Sequence, residues 1–265
     1  MKRYPIFLVL CFLWGFAPQN AKSDDLEVIL RSAGDYCEKV KDIALYYVAK
    51  ERIKDVKYIF RTEAVGTKKR TVTYDYQLIS RNGRYEEKRT LLEENGKKKH
   101  QENVQPTGLP FVAEKLVFGP VGFLSRYWQA YFRYEILGRK TLGQKLCVVI
   151  KATPKKPPEQ MEGNNKIARI WLDVNDHSIL RIEVEPQSIE GFQEKVVKLS
   201  KGEMKRTVVC RTEYDVEKNG IRFPGTHIFR DVLQNPITEE QVLLEEISYA
   251  YSDYKMLTVG VEIKY

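Results

Sequence analysis

Histidine is scarce in this chain: the three residues, His100, His177 and His227, stand at spacings that no metal site uses. The sequence therefore offers no zinc-type ligand set, and each histidine is expected either at the surface or hydrogen-bonded. The G-x-S-x-G elbow, the P-loop and the dinucleotide fingerprint are also missing, so no motif supports an enzyme and no cofactor or metal is expected. Acidic pairs do occur at Glu93-Glu94, Glu239-Glu240 and Glu245-Glu246, but adjacent strand residues point to opposite faces and do not converge on a substrate. Zinc-knuckle, RNP-like and helix-turn-helix patterns are absent, which removes the usual grounds for a nucleic-acid partner. Only four cysteines are present. Beyond the leader they are Cys37, Cys147 and Cys210, an odd number, so at least one stays unpaired. Cys147 and Cys210 lie in apolar strand-like runs and read as small buried hydrophobes rather than as a disulfide, although the sequence leaves their pairing open.

Long apolar runs are limited to one, Ile6 to Phe16, behind Lys2 and Arg3 and ahead of Ala17, Pro18 and Ala21. That order is the order of a secretory signal peptide, and a spanning helix needs about 20 apolar residues. Cys11 follows Val9 and Leu10 rather than a small residue, so an acylated lipoprotein cysteine is not expected. The reading is a leader over residues 1–21, an exact cleavage point left open, and one exported periplasmic domain over residues 22–265. The formal charge of +8, two units of it from Lys2 and Arg3, suits an anionic lipid or membrane surface.

In the mature chain, Leu26, Ile29, Ala33, Cys37, Val40, Ile43 and Tyr47 recur at helical spacing after the Ser23-Asp24-Asp25 cap, which predicts a helix to about Lys50. From Asp55 the period changes to two. Val72, Tyr74, Tyr76 and Leu78 alternate with polar residues, Asn82-Gly83, Asn95-Gly96, Asn175-Asp176 and Asn219-Gly220 supply tight turns, and strands are expected at 131–137, 145–152, 166–174, 178–185, 207–216, 221–232, 241–251 and 257–265. A short helix is expected over 188–200, from Ile189, Phe192, Val196 and Leu199. The fold class is mainly β, an antiparallel sheet of about ten to twelve strands, more than an open twisted sheet holds without curling. The segment from Pro106 to Gln129 fits neither period. It is too apolar for a solvated loop and too long for a hairpin connection, so it should fold over something as a short helix and flap.

Gly138-Arg139, Gly143, Val148 to Ile150, Pro154, Ile170-Trp171-Leu172-Asp173, Asp176 and Ile179-Leu180-Arg181-Ile182 together resemble the LolA/LolB-like superfamily of periplasmic lipoprotein carriers and outer-membrane lipoprotein-sorting proteins. The resemblance is clearest over residues 131–186. It implies an incomplete barrel round an apolar cavity, helices as a lid, no cofactor and a non-catalytic role. The expected guest is a lipid, a lipoprotein acyl chain or a similar apolar ligand, held by a monomer acting as carrier or sensor, with an inner- or outer-membrane delivery partner as a further expectation. The expected lining is Tyr74, Tyr76, Leu78, Val148, Ile150, Ile170, Leu172, Leu180 and Ile182, with Phe111, Phe118, Phe123, Leu124 and Trp128 as lid. Each buried methylene would contribute about 0.8 kcal/mol, so one acyl chain suffices for useful affinity. Two rival readings remain: a small outer-membrane barrel, suggested by the alternation of Leu257, Val259, Val261, Ile263 and Tyr265, and a structural or interaction module without ligand.

Overall fold

The computed structural model describes residues 25–44, 46–60, 65–81, 84–155, 166–189, 192, 195–199 and 202–256. The expected leader, the expected Asn82-Gly83 turn and the expected last strand lie outside these residues. Helix α1 (Leu26–Ile43) starts where the Asp25 side chain accepts from the Glu27 N–H, and it buries Ile29, Ala33, Tyr36, Cys37 and Val40 on one face. It stops at Ile43, not near Lys50 as the spacing predicts. Tyr46, Tyr47 and Val48 instead open strand β1 (Tyr46–Phe60), because aromatic and β-branched residues with pairing strands on both sides favour the extended state. Tyr47 keeps the helical spacing from Ile43, which is why periodicity alone overran the end.

Strands β2 (Val65–Arg81), β3 (Arg84–Glu94) and β4 (Lys97–Gln101) continue the meander on one side of β1. The chain then leaves the sheet over 102–131, forming two short helices, α2 (Gly119–Leu124) and α3 (Arg126–Gln129). It re-enters as β5 (Phe132–Leu142), β6 (Lys145–Pro154), β7 (Ala168–Asp173) and β8 (Ile179–Val184). Next come β9 (Lys195–Leu199), β10 (Gly202–Glu213), the separate hairpin β11 (Val216–Lys218) and β12 (Ile221–Phe223), then β13 (Thr226–Gln234) and β14 (Gln241–Met256). The large sheet runs β4-β3-β2-β1-β14-β13-β10-β8-β7-β6-β5, with β9 paired to β10, all antiparallel. Asn219 and Gly220, both at positive φ, turn the small hairpin as that dipeptide predicts.

The helix expected over 188–200 is not there. A 3-10 turn at Pro186–Ser188 is followed by β9, whose Val197 pairs with Met204. Val196 and Val197 are β-branched, and an available partner in β10 outweighs a helical spacing shared by only a few apolar residues.

One face of the sheet packs on α1 and on the 102–131 segment, in a core containing Tyr47, Ile53, Tyr74, Tyr76, Leu78, Val148, Ile150, Ile170, Leu172, Phe223 and Tyr249. The other face carries cross-strand ion pairs, including Arg230–Glu246 (2.6 Å), Arg181–Glu213 (2.8 Å) and Lys151–Glu185 (3.0 Å). Among the described residues this is not the pattern of a closed outer-membrane barrel. Among the described residues β4 and β5 have no outer strand partner, and an open edge and charged outer face have no place in hydrocarbon. Among the same residues no helix is long and apolar enough to cross a membrane.

Candidate functional site

Three neighbouring strands form the floor of the site. Antiparallel register places Ile182 of β8 beside Thr212 of β10, and Thr212 beside His227 of β13; the next row is Val184, Cys210 and Phe229. Over these rows lies the segment from Phe111 to Phe123. Between the two is a cavity of about 510 Å³, lined mostly by Phe111, Leu116, Phe118, Phe123, Ile182, Val184, Ile189 and Tyr214, within the range of roughly 300–1,000 Å³ usual for small-molecule sites. A second, more exposed hollow of about 520 Å³ lies across Val112, Glu114 and Lys115, with Tyr85, Glu87 and Gln105 on its far side.

Side chains from the sheet and from α1 bind the backbone of the covering segment. The Tyr214 hydroxyl donates to the Leu116 carbonyl (2.8 Å), the Tyr249 hydroxyl to that of Phe111 (3.3 Å), and the Tyr134 hydroxyl to that of Phe123. Glu87 accepts from the Lys115 N–H, and Cys37 donates to the Pro120 carbonyl. Gly119 approaches the floor so closely that a Cβ there would sit 2.4 Å from the Tyr214 hydroxyl. The tyrosines are therefore what holds the flap down, a role that an apolar-pattern reading does not detect.

Polar side chains also line the first cavity, among them Glu114, Lys115, Lys166, Thr212 and His227. His227 is 3 % exposed, its Nδ1 lies 2.8 Å from the Thr212 hydroxyl, and its ring stacks beside Phe111 and packs edge-on to Tyr249. Burial, with the nearby Lys166 cation, pushes its pKa down to about 3, so the ring is neutral. Cys210 is buried beside it, with its thiol pushed up to about 11 by burial, well away from thiolate reactivity. Among the described residues no cluster of His, Cys, Asp or Glu is placed to hold a metal ion.

No protein-family model and no curated protein matches the chain. Among solved structures it is similar to an outer membrane lipoprotein-sorting protein domain from Vibrio parahaemolyticus, at 13% identity over 90% of this chain and 96% of that one, with a TM-score of 0.39. It is also similar to a LolA superfamily protein from Nitrosomonas europaea (11%, covering 89% and 96%, TM-score 0.34) and a DUF1329 family protein from Desulfovibrio piger (12%, covering 88% and 95%, TM-score 0.35). These likenesses carry no argument about function, which has to be read from the site.

The expected lining residues separate into three groups. Phe111, Phe118, Phe123 and Ile182 border the cavity. Tyr74, Tyr76, Leu78, Leu124, Val148, Ile150, Ile170 and Leu172 are buried in the main core without reaching it, and Trp128 is half-buried against Tyr127 and Tyr131. Leu180 is on the opposite face, packed with Cys147, Val149 and Trp171. The cause is a β-bulge: Trp171 pairs with Arg181 but Leu172 with Ile179, so Leu180 is the extra residue and the alternation reverses there. His227, expected at the surface or satisfied, is neither, since its Nε2 is buried without a partner. Cys37, Cys147 and Cys210 are all free, and the last two lie on opposite faces.

Proposed function

We propose that this protein holds the apolar part of a lipid, lipoprotein acyl chain or similar ligand beneath the 111–123 flap, as a non-catalytic carrier or sensor. The observation that carries the reading is the cavity of about 510 Å³ left between an aromatic flap and the β8, β10 and β13 floor, where side chains could instead have closed the gap. Apolar surface that stays unfilled is stabilised when an apolar guest displaces water or fills a void. The site differs in place from the sequence expectation, lying beneath the flap rather than along the whole inner face.

Val184 offers a direct test, because it borders the cavity while only part of its side chain is buried. Val184→Trp should fill the space and weaken a fluorescent fatty-acid probe at least tenfold, with the far-ultraviolet circular dichroism unchanged. Unaltered probe affinity in a folded variant would remove the cavity as the binding site.

Export to a periplasm is part of the same reading and is supported by the order of Lys2, Arg3 and the apolar run Ile6 to Phe16 in the sequence. Intact mass of protein recovered from a periplasmic extract should correspond to a chain beginning near Lys22, and recovery of the full-length mass alone would count against it.

A further inference from the structure

Away from the cavity, the sheet carries a ribbon that its neighbours leave uncovered. Pairing between β1 and β14 ends at Lys57 and Glu245, and pairing between β2 and β3 ends at Val72 and Glu94. Past those points Tyr58, Ile59 and Phe60 pair only with Thr67, Gly66 and Val65, so the β1–β2 hairpin runs on beyond its neighbours as two strands. A two-stranded ribbon is marginal in water unless something covers it. This one is apolar where a solvated ribbon is polar: Ile59 is 44 % exposed, Phe60 48 % and Val65 61 %. Phe60 and its partner Val65 share one face of the ribbon and Ile59 takes the other, so a flat partner could cover only part of this surface, whereas an apolar medium covers both faces. Behind these side chains the ribbon is basic. Lys68 and Lys69 are exposed, neither is in an ion pair among the described residues, and positions 58–60 and 65–70 carry no acidic residue. Lysine is depleted in protein–protein interfaces, while apolar insertion together with a basic patch is the two-signal arrangement that holds a protein on an anionic bilayer. The β13–β14 turn lies at the same end of the sheet, and its exposed Glu239 and Glu240 oppose such a surface, so the attraction rests on the two lysines.

We propose that the β1–β2 hairpin is a membrane-docking finger, which places Ile59, Phe60 and Val65 in the interfacial layer of an anionic bilayer and Lys68 and Lys69 among its headgroups. None of these residues lines the cavity beneath the flap, so the finger is a second surface and stands independently of what that cavity holds. Its apolar tip supplies depth of insertion and its lysines supply selectivity for negative charge.

The test is co-sedimentation of the soluble protein with vesicles of phosphatidylcholine and phosphatidylglycerol, and with vesicles of phosphatidylcholine alone. Wild type should bind the mixed vesicles at least about tenfold more tightly than the neutral ones, and added salt should reduce the difference. Phe60→Thr with Val65→Thr, and separately Lys68→Gln with Lys69→Gln, should each weaken binding to the mixed vesicles at least about tenfold. Val28→Thr, at a comparably exposed apolar position on α1, should leave it unchanged. All of these positions are exposed, so the variants should fold, and each should bind the fatty-acid probe as wild type does, which separates a failure here from a failure of the cavity. In Phe60→Trp the added indole emission should shift to the blue with mixed vesicles. No binding by wild type, or binding that neither double variant weakens, would overturn the finger. Loss in the lysine variant alone, without the blue shift, would overturn insertion in favour of adsorption by charge. A dimer in sedimentation that the double threonine variant dissolves would also overturn it, because a second copy would then be what covers the ribbon.

Discussion

Arg89→Met is expected to destabilise the fold by about 3–5 kcal/mol, the range for breaking a buried ion pair from one side. Arg89 and Glu51 both have side chains fully removed from solvent, on the inner faces of β3 and β1. The guanidinium meets the carboxylate twice, Nε to Oε2 at 2.6 Å and Nη2 to Oε1 at 3.1 Å. The Tyr251 hydroxyl donates to the same carboxylate at 2.7 Å, and the guanidinium lies 4.9 Å over the Tyr76 ring. Burial alone would lower the arginine's pKa, but hydrogen bonding to Glu51 and the adjacent Glu87 charge raise it above the ordinary value, so the guanidinium keeps its charge. Removing Arg89 strands a carboxylate that the surrounding tyrosines cannot neutralise. In thermal unfolding the variant should lose roughly 10 °C or more, since 1 kcal/mol shifts Tm by about 2–4 °C in a domain of this size. Arg89→Met combined with Glu51→Gln should recover a large part of the loss. A single-variant cost under about 1 kcal/mol would mean that water reaches the pair in solution.

A second large effect should appear on acidification. The folded-state pKa of His227 is lowered to about 3, against about 6.5 for the unfolded chain. Between those values the unfolded chain binds a proton that the folded one refuses, so stability rises with pH across this window. The contribution is complete above about pH 6.5 and is lost as pH falls towards 3, at on the order of 1 kcal/mol for each pH unit. Urea unfolding at pH 7, 6, 5 and 4 should show the wild type weakening relative to His227→Phe by that slope, the carboxylates being common to both. Parallel stability curves would mean that the imidazole titrates normally and is not sealed beneath Phe111.

The parts of the architecture that were legible in sequence were those where burial follows one simple period. Val72, Tyr74, Tyr76 and Leu78 alternate without interruption, and all four are buried on the inner face. The apolar excess between Pro106 and Gln129 announced a segment needing cover, and it lies on the sheet. Legibility failed where a local event changed the period. The bulge at Leu180 is set by pairing with β7, which no single strand records. The helix boundary failed because Tyr47 satisfies both periods, and β9 because its strand state is set by pairing with β10, which the helical spacing of Val196 and Leu199 does not record. Glu51 and Arg89 were hidden for another reason: a charged residue in strand phase ordinarily marks the wet face, and only a partner two strands away makes it an inner one. His227 did leave a signal. It is in phase with Phe229, opposite Thr212 of a strand whose Val208, Cys210 and Tyr214 also point inward.

The placement of the thiols bears on how the chain matures. Cys147 is sealed under Trp171 on one side of the sheet, Cys210 on the other, and Cys37 is buried where its sulfur meets the Pro120 carbonyl. A native chain so arranged has the same covalent structure in reducing and in oxidising surroundings. These three thiols call for no oxidase or isomerase during folding, and the melting curve should be indifferent to reductant.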